Sequence, residues 1–253
     1  MFMRLLRDLV VKDLQARYQT SAMGFFWSII NPLIMVLLFT FFFSHFLRIS
    51  PPPGVHSYAL FVLSGILPWF AVQEALTRSA SSILDNSSLV KTVKFPSVIF
   101  PLYLVISGII NEAIGIVLLL VFAVYWQGSI GLVFLLIIPV LALQALFSLG
   151  LGCIVATLQV YVRDTMQLLG VILLVWMYMT PIFYPADIIP PKYLFVLTFN
   201  PLYYLLSIYR SLLLRFELPR AQDLLVFSAI SFLSFYVGLY VIRKRGRSLA
   251  DLV

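Results

Sequence analysis

Residues 191–215, PKYLFVLTFNPLYYLLSIYRSLLLR, decide how this chain is laid out. The run Tyr193–Tyr209 is apolar enough for a membrane helix, yet it holds Asn200-Pro201 near its middle. Proline clashes with the preceding turn and removes a backbone donor. Pro185, Pro190 and Pro191 come before the run, and Arg210 and Arg215 follow or close it. If it crosses a membrane the chain has seven spans. If it turns back, the chain has six.

The setting comes from composition. The chain has 253 residues, of which 62% are hydrophobic and 11% are charged. An ordinary soluble domain is about 45–50% apolar and about 25% charged. So few charges cannot cover so much apolar surface in water. This excludes a soluble enzyme, a disordered linker and a nucleic-acid binder. What fits is a polytopic membrane protein in contact with lipid. The single cysteine, Cys153, lies in an apolar run and reads as a small packed hydrophobe. Six charges in the first 20 residues are unlike the start of a cleaved secretion leader.

The few charges mark the spans. Thirty residues between Arg17 and Arg48 carry no Asp, Glu, Lys or Arg. Ser57–Gln73 forms a second run. From Phe95 to Val162 the only charge is Glu112, too long a stretch for one span of about 20 residues. Gln127-Gly128-Ser129 divides it by a turn. Thr165–Ala186 and Leu224–Ile242 complete six strong runs.

Basic loops stay on the cytoplasmic side. With six spans and an inner N-terminus, Arg4, Arg7, Lys12, Arg17, Arg78, Lys91, Lys94, Arg163, Arg243, Lys244, Arg245 and Arg247 all lie inside. That is twelve of the 17 basic residues. Arg48, Lys192, Arg210, Arg215 and Arg220 lie outside. Seven spans would put the basic tail outside. The expected fold is therefore all-α, with six transmembrane helices and both termini cytoplasmic. Residues 191–215 are expected to form a re-entrant helical hairpin entering from the outer face, within an outer segment 186–220. Broken backbone at that depth needs shielding by protein or a water-filled cavity, which points to a pathway nearby.

Two cytoplasmic pieces are amphipathic. In residues 1–20, Phe2, Leu5, Leu6, Leu9, Val10 and Leu14 recur at helical spacing. Asp8–Lys12 and Asp13–Arg17 are i,i+4 pairs with the acid first, the favoured order. Such a helix can lie in the membrane interface as an anchor or carry a cytoplasmic partner. Residues 74–96 form the longest inner connection, with Ile83, Leu84, Leu89, Val90 and Val93 among its polar residues. Asp85 or Ser87 can cap a short helix there that Phe95-Pro96 stops. Arg163-Asp164 reads as an ion pair that fixes a helix end or meets a partner.

Catalytic constellations are missing from the sequence. Two histidines and one cysteine do not make a typical zinc site. No Walker-type phosphate loop and no GxSxG elbow occurs. The chain is expected to bind no metal or cofactor and to be no enzyme. Glu112, beside Asn111 in the third span, stands out, because a charge at mid-bilayer costs roughly 2.5–3.5 kcal/mol on insertion scales. It reads either as a glutamate tying helices together or as a pathway residue. Aromatics crowd the fifth span and the hairpin: Tyr178, Phe183, Tyr184, Tyr193, Phe195, Phe199, Tyr203, Tyr204 and Tyr209. Their faces suit stacking on sugar rings, while Trp69 and Trp126 read as interface-belt residues.

In order along nearly the whole chain, these features resemble the membrane subunit of ABC-2 type exporters of polysaccharides such as O-antigen, capsule or teichoic acid. The likeness is carried by Arg17-Tyr18, Ser21, Gly24, Trp27 and Asn31-Pro32, then Ser64-Gly65 and Pro68-Trp69. It continues through Asn86, Leu89, Val90, Lys91, Phe95-Pro96, Pro101 and Asn111-Glu112. Arg163-Asp164, Thr180-Pro181-Ile182, Tyr184, Ile189-Pro190 and Asn200-Pro201-Leu202 extend it.

The resemblance implies a single transmembrane domain over residues 1–253, acting as a half-transporter in the inner membrane. Two copies would form a homodimer around a channel for a lipid-linked polysaccharide. Two separate ATP-binding cassette subunits, holding ATP and Mg, would drive it. Coupling to them would fall to Arg4, Arg7, Lys12, Arg17, Asp85, Asn86, Lys91, Lys94 and Phe95. Channel and gate candidates are Trp27, Glu112, Tyr178, Thr180, Phe183, Tyr184, Phe199 and Tyr203. An ABC-2 efflux permease for a non-glycan substrate and a membrane-embedded sugar transferase are the competing readings.

Overall fold

A computed structural model describes residues 2–19, 58–92, 96–127 and 131–252, together with scattered positions between 26 and 57. The described residues are all-helical, with no strand. Part of the first apolar run, including Ser21, Gly24 and Asn31-Pro32, lies outside the described residues, as do Lys94, Phe95 and the Gly128-Ser129 turn. The side chains of Lys91 and Trp126 are likewise not described.

Helix α1 spans Phe2–Gln19, α2 Tyr58–Asp85 and α3 Ser87–Thr92. Helix α4 spans Ile99–Gln127. A 3₁₀ turn, Leu132–Leu136, leads into α5, Ile137–Tyr161. Then come α6, Thr165–Met179, and two short helices, α7 (Leu194–Thr198) and α8 (Pro201–Arg210). Helix α9, Ala221–Leu252, closes the chain. Among the described residues, four segments are long and apolar enough to cross a membrane: Tyr58–Asp85, Ile99–Tyr125, Leu132–Tyr161 and Ala221–Arg245. Helix α6 is apolar but has only 15 residues. At 1.5 Å per residue it covers about 22 Å, short of a hydrocarbon core of about 30 Å. The segment 191–215 breaks at Asn200, as its sequence predicts. Helices α7 and α8 have 5 and 10 residues, so neither alone reaches across.

The core runs along α2, whose residues Leu60–Leu63, Ile66, Leu67, Trp69 and Val72 are buried. Trp69 was expected at an interface, but it is 1% exposed and meets Trp176 edge-on at 6.0 Å. The reason is length: α2 continues to Asp85, which leaves Trp69 in mid-helix rather than at a span end. The same continuation makes helix of most of the inner connection 74–96. Ile83, read there as a docking aliphatic, is buried in one cluster with Leu6 and Val10 of α1.

Charge holds α1 in place. The Asp13 carboxylate accepts from Arg17 Nε at 3.0 Å, Arg78 Nη1 at 3.1 Å and Ser107 Oγ at 2.5 Å, and from Arg78 Nη2. Glu74 adds contacts to Arg17 at 2.5 Å and to Arg78 at 3.3 Å. Burial alone would push the Asp13 carboxyl up. Hydrogen bonds from Arg78, Ser107 and Arg17 outweigh it and hold the group below the ordinary carboxylate range. The expected Asp13–Arg17 pair is thus present, whereas Asp8 lies against Arg7 at 3.4 Å.

Arg163 and Asp164, read as an ion pair, are both exposed and form no ion pair among the described residues. In water such a pair contributes little. Gln159 holds the corner instead, donating to the Arg163 carbonyl at 3.0 Å and accepting from the Met166 amide at 2.8 Å.

Candidate functional site

Three elements converge on Glu112. It sits midway along α4 and is 3% exposed. Gln144 of α5 donates from Nε2 to Glu112 Oε2 at 2.8 Å. The Tyr209 hydroxyl, from α8, lies 2.7 Å from Glu112 Oε1 and 2.6 Å from Gln144 Oε1. A phenol carries one hydrogen, and two oxygens face it. The ring closes when Glu112 supplies a further hydrogen to the Tyr209 oxygen, freeing the Tyr209 hydrogen for Gln144. Inside the protomer the glutamate therefore ties α4, α5 and α8 together. Gln144 and Tyr209 were missed as its partners because neutral polar side chains in apolar runs do not register in a count of charges.

Asn200 organises the break before α8. Its side-chain oxygen caps the helix by accepting from the Leu202 amide at 3.1 Å, and also accepts from Trp176 Nε1 at 2.9 Å. Its Nδ2 donates to Thr180 Oγ1 at 2.9 Å. Pro201 follows at the first helical position, where its missing N–H is not needed. The Asn-Pro pair therefore starts a helix rather than merely interrupting one.

Arg210, at the other end of α8, pins that helix to the chain leaving α6. Its Nη2 donates to the carbonyls of Pro181 at 2.7 Å and Ile182 at 3.2 Å, and its guanidinium lies 3.9 Å from the centre of the Phe61 ring. Gly65 makes room for this, since a Cβ there would meet Arg210 Nη2 at 3.2 Å and Ile182 Cα at 3.3 Å. Tyr58 donates to the Phe183 carbonyl on the same side. After Arg210 the helix widens into a π turn, Ser211–Arg215, and Phe216 stands in the left-handed region at φ 53°.

The aromatic cluster separates into two sets. Phe183, Tyr204 and Tyr209 are buried, and Thr180 is buried beside them. Tyr178 is 59% exposed and Phe199 82% exposed. Tyr193 and Phe195 are exposed as well. Trp176, Met179, Phe195 and Phe199 line an open apolar groove of about 380 Å³. Tyr184 is half-buried and donates to the Tyr178 carbonyl at 2.7 Å. Tyr203 is half-buried and edges against Tyr204. Trp27 is 42% exposed.

Among the coupling candidates, Arg4, Arg7, Lys12 and Asp85 are exposed. Arg17 is mostly covered and engaged with Asp13 and Glu74. Asn86 donates to the Ser82 carbonyl at 2.8 Å and ends α2. No group of three metal-ligating side chains occurs among the described residues.

Residues 4–214 match the model of the ABC-2 type transporter family. The chain belongs to that family. It is therefore a multi-pass membrane protein and a transporter subunit. It is 29% identical over 243 residues to an O-antigen export system permease protein of Klebsiella pneumoniae, covering 96% of this chain and 92% of the relative. A Myxococcus xanthus O-antigen export permease is 29% identical over 252 residues, covering 98% and 95%. The polysialic acid transport protein KpsM of Escherichia coli is 22% identical over 244 residues, covering 94% and 92%. The candidate site is the region where α4, α5 and α8 meet.

Proposed function

We propose that this chain is the membrane subunit of an ATP-driven exporter of a lipid-linked polysaccharide. The observation that carries the reading is similarity over almost the whole length to permeases named for O-antigen and polysialic acid export. Two copies form a homodimer in the cytoplasmic membrane, with a continuous channel between them. A polymer is too large to be enclosed by a cavity in a chain of 253 residues, so stepwise threading through a channel fits the cargo.

Six spans with both termini inside agree with the distribution of the basic residues. Helices α7 and α8 form the re-entrant hairpin at the outer mouth. Two ATPase subunits, which bind ATP and Mg, dock below. The exposed Arg4, Arg7, Lys12 and Asp85 offer them a charged surface, with Lys91, Lys94 and Phe95 beside it. Arg17 and Asn86 act from within, fixing α1 and the end of α2. Trp27, Tyr178, Phe199 and Tyr203 offer aromatic faces to sugar rings. Glu112, Thr180, Phe183 and Tyr184 hold the hairpin that gates the route.

Deletion of the gene in its host is the test. The expected result is loss of surface polysaccharide with polymer accumulating on its lipid carrier inside the cell, reversed by the intact gene only when the ATPase is active. Normal surface polysaccharide in the deletion strain overturns the proposal.

A further inference from the structure

A second cavity, of about 380 Å³, opens beside the hairpin and is distinct from the aromatic groove. Arg210, Arg215 and Arg220 all line it, together with Tyr203, Ser207 and Asp187. Three arginines thus line the cavity with one acidic residue. None of the three forms an ion pair among the described residues. The nearby acid Asp223 takes the Ser207 hydroxyl at 2.7 Å. Arg210 Nη2 is committed to the Pro181 and Ile182 carbonyls, but its Nε is buried and finds no acceptor. Arg215 and Arg220 are exposed.

Backbone geometry gathers these arginines. In an α-helix, residues five apart point well away from each other. The i→i+5 winding of the π turn at Ser211–Arg215 swings Arg215 back toward the face that Arg210 occupies. The left-handed Phe216 then reverses the chain so that Arg220 returns to the same cavity. Single-turn π segments and non-glycine residues at positive φ cost energy and persist where the surroundings enforce them, often at functional sites.

We propose that this cavity binds a phosphoryl group, as a phosphodiester or pyrophosphate, on the face read as outer. The face rests on the export topology above; the ligand rests on the cavity. Guanidinium forks match phosphate oxygens in pairs of hydrogen bonds. A single carboxylate has two oxygens and cannot occupy three such forks, whereas a pyrophosphate can. The volume leaves room for an attached sugar against Tyr203. Two sources carry this chemistry: the phosphorylated linker or sugars of an exported polymer, and the headgroup of an outer-leaflet phospholipid.

Full-length protein in phosphatidylcholine nanodiscs, titrated with radiolabelled inorganic pyrophosphate, is the test. The wild type is expected to bind saturably. An Arg215→Gln/Arg220→Gln double variant is expected to bind at least about tenfold more weakly, as lost charge-assisted hydrogen bonds require. The corresponding double Lys variant should fall between the two. Both positions are exposed, so an unchanged melting temperature verifies the fold. Pyrophosphate binding that follows this order assigns the site to a polymer-borne phosphate. Stabilisation by phosphatidylglycerol nanodiscs alone, lost in the Gln variant, assigns it to the headgroup. Binding of neither probe, or equal binding by wild type and the Gln variant, overturns the proposal. Normal surface polysaccharide in the deletion strain, with pyrophosphate binding by the purified protein intact, would count against the exporter reading and leave the site standing.

Discussion

Glu112 shows what a single buried charge does when its neighbours are neutral. The sequence marks the residue, since it is the only charge between Phe95 and Val162. Its role depends on Gln144 and Tyr209, which lie 32 and 97 positions away and which no local pattern connects to it. Glutamine at 112 can supply the hydrogen that the ring needs, so Glu112→Gln should change stability by less than about 1 kcal/mol. Leucine leaves the Tyr209 and Gln144 groups unsatisfied in a dry interior, and Glu112→Leu should cost about 2 kcal/mol. Thermal unfolding in detergent micelles measures both. Equal melting temperatures for the leucine variant and the wild type would show that the ring contributes nothing. Asp13 follows the same logic at the cytoplasmic edge: the Asp13–Arg17 spacing was legible, but Arg78 and Ser107 reach the carboxylate only through the fold.

Among the elements, the crossing of α5 and α9 is the closest. A Cβ on Gly150 would stand 2.2 Å from the Ser234 carbonyl carbon, and one on Gly238 would stand 2.1 Å from the Gly150 oxygen. Ser234 and Gly238 are four residues apart on one face of α9, so small side chains let the backbones touch, as is common in membrane helix pairs. Ser234 also donates to the Phe147 carbonyl at 3.0 Å. Gly150→Ala must force the helices apart and should destabilise by about 1–3 kcal/mol. Gly170→Ala, where a Cβ would meet nothing within 4 Å, should not. Unfolding midpoints of the two variants test this, and equal effects would contradict the crossing.

The same scale shows where sequence reading stops. Asn200-Pro201 announced the break in 191–215 because both residues act locally. The π turn that follows did not announce itself, because Ser-Leu-Leu-Leu-Arg is an ordinary helical sequence and its winding answers to what packs around it. Trp69 was misread for a similar reason: nothing in Glu74–Asp85 revealed that α2 continues through those polar residues.

At the scale of the whole molecule, a scarcity of charge makes the chain a membrane protein, and the placement of that charge is the ground for the proposed orientation. Helices α2 and α4 are tied to α1 by Asp13, Arg17, Glu74, Arg78 and Ser107, so α1 is linked to two long helices through largely buried contacts. Farther along the same bundle, Glu112 and Arg210 hold α8. Such a link suits the proposed arrangement, in which a separate ATPase docks at α1 and the segment α7–α8 gates the route. Proteoliposomes containing this chain and its ATPase, loaded with lipid-linked polysaccharide on the ATPase side, give the most direct measurement. Polymer is expected to appear on the opposite side only while ATP is hydrolysed, and an ATPase variant unable to hydrolyse ATP is expected to abolish its appearance. Continued polymer translocation with that variant would contradict ATP-driven export.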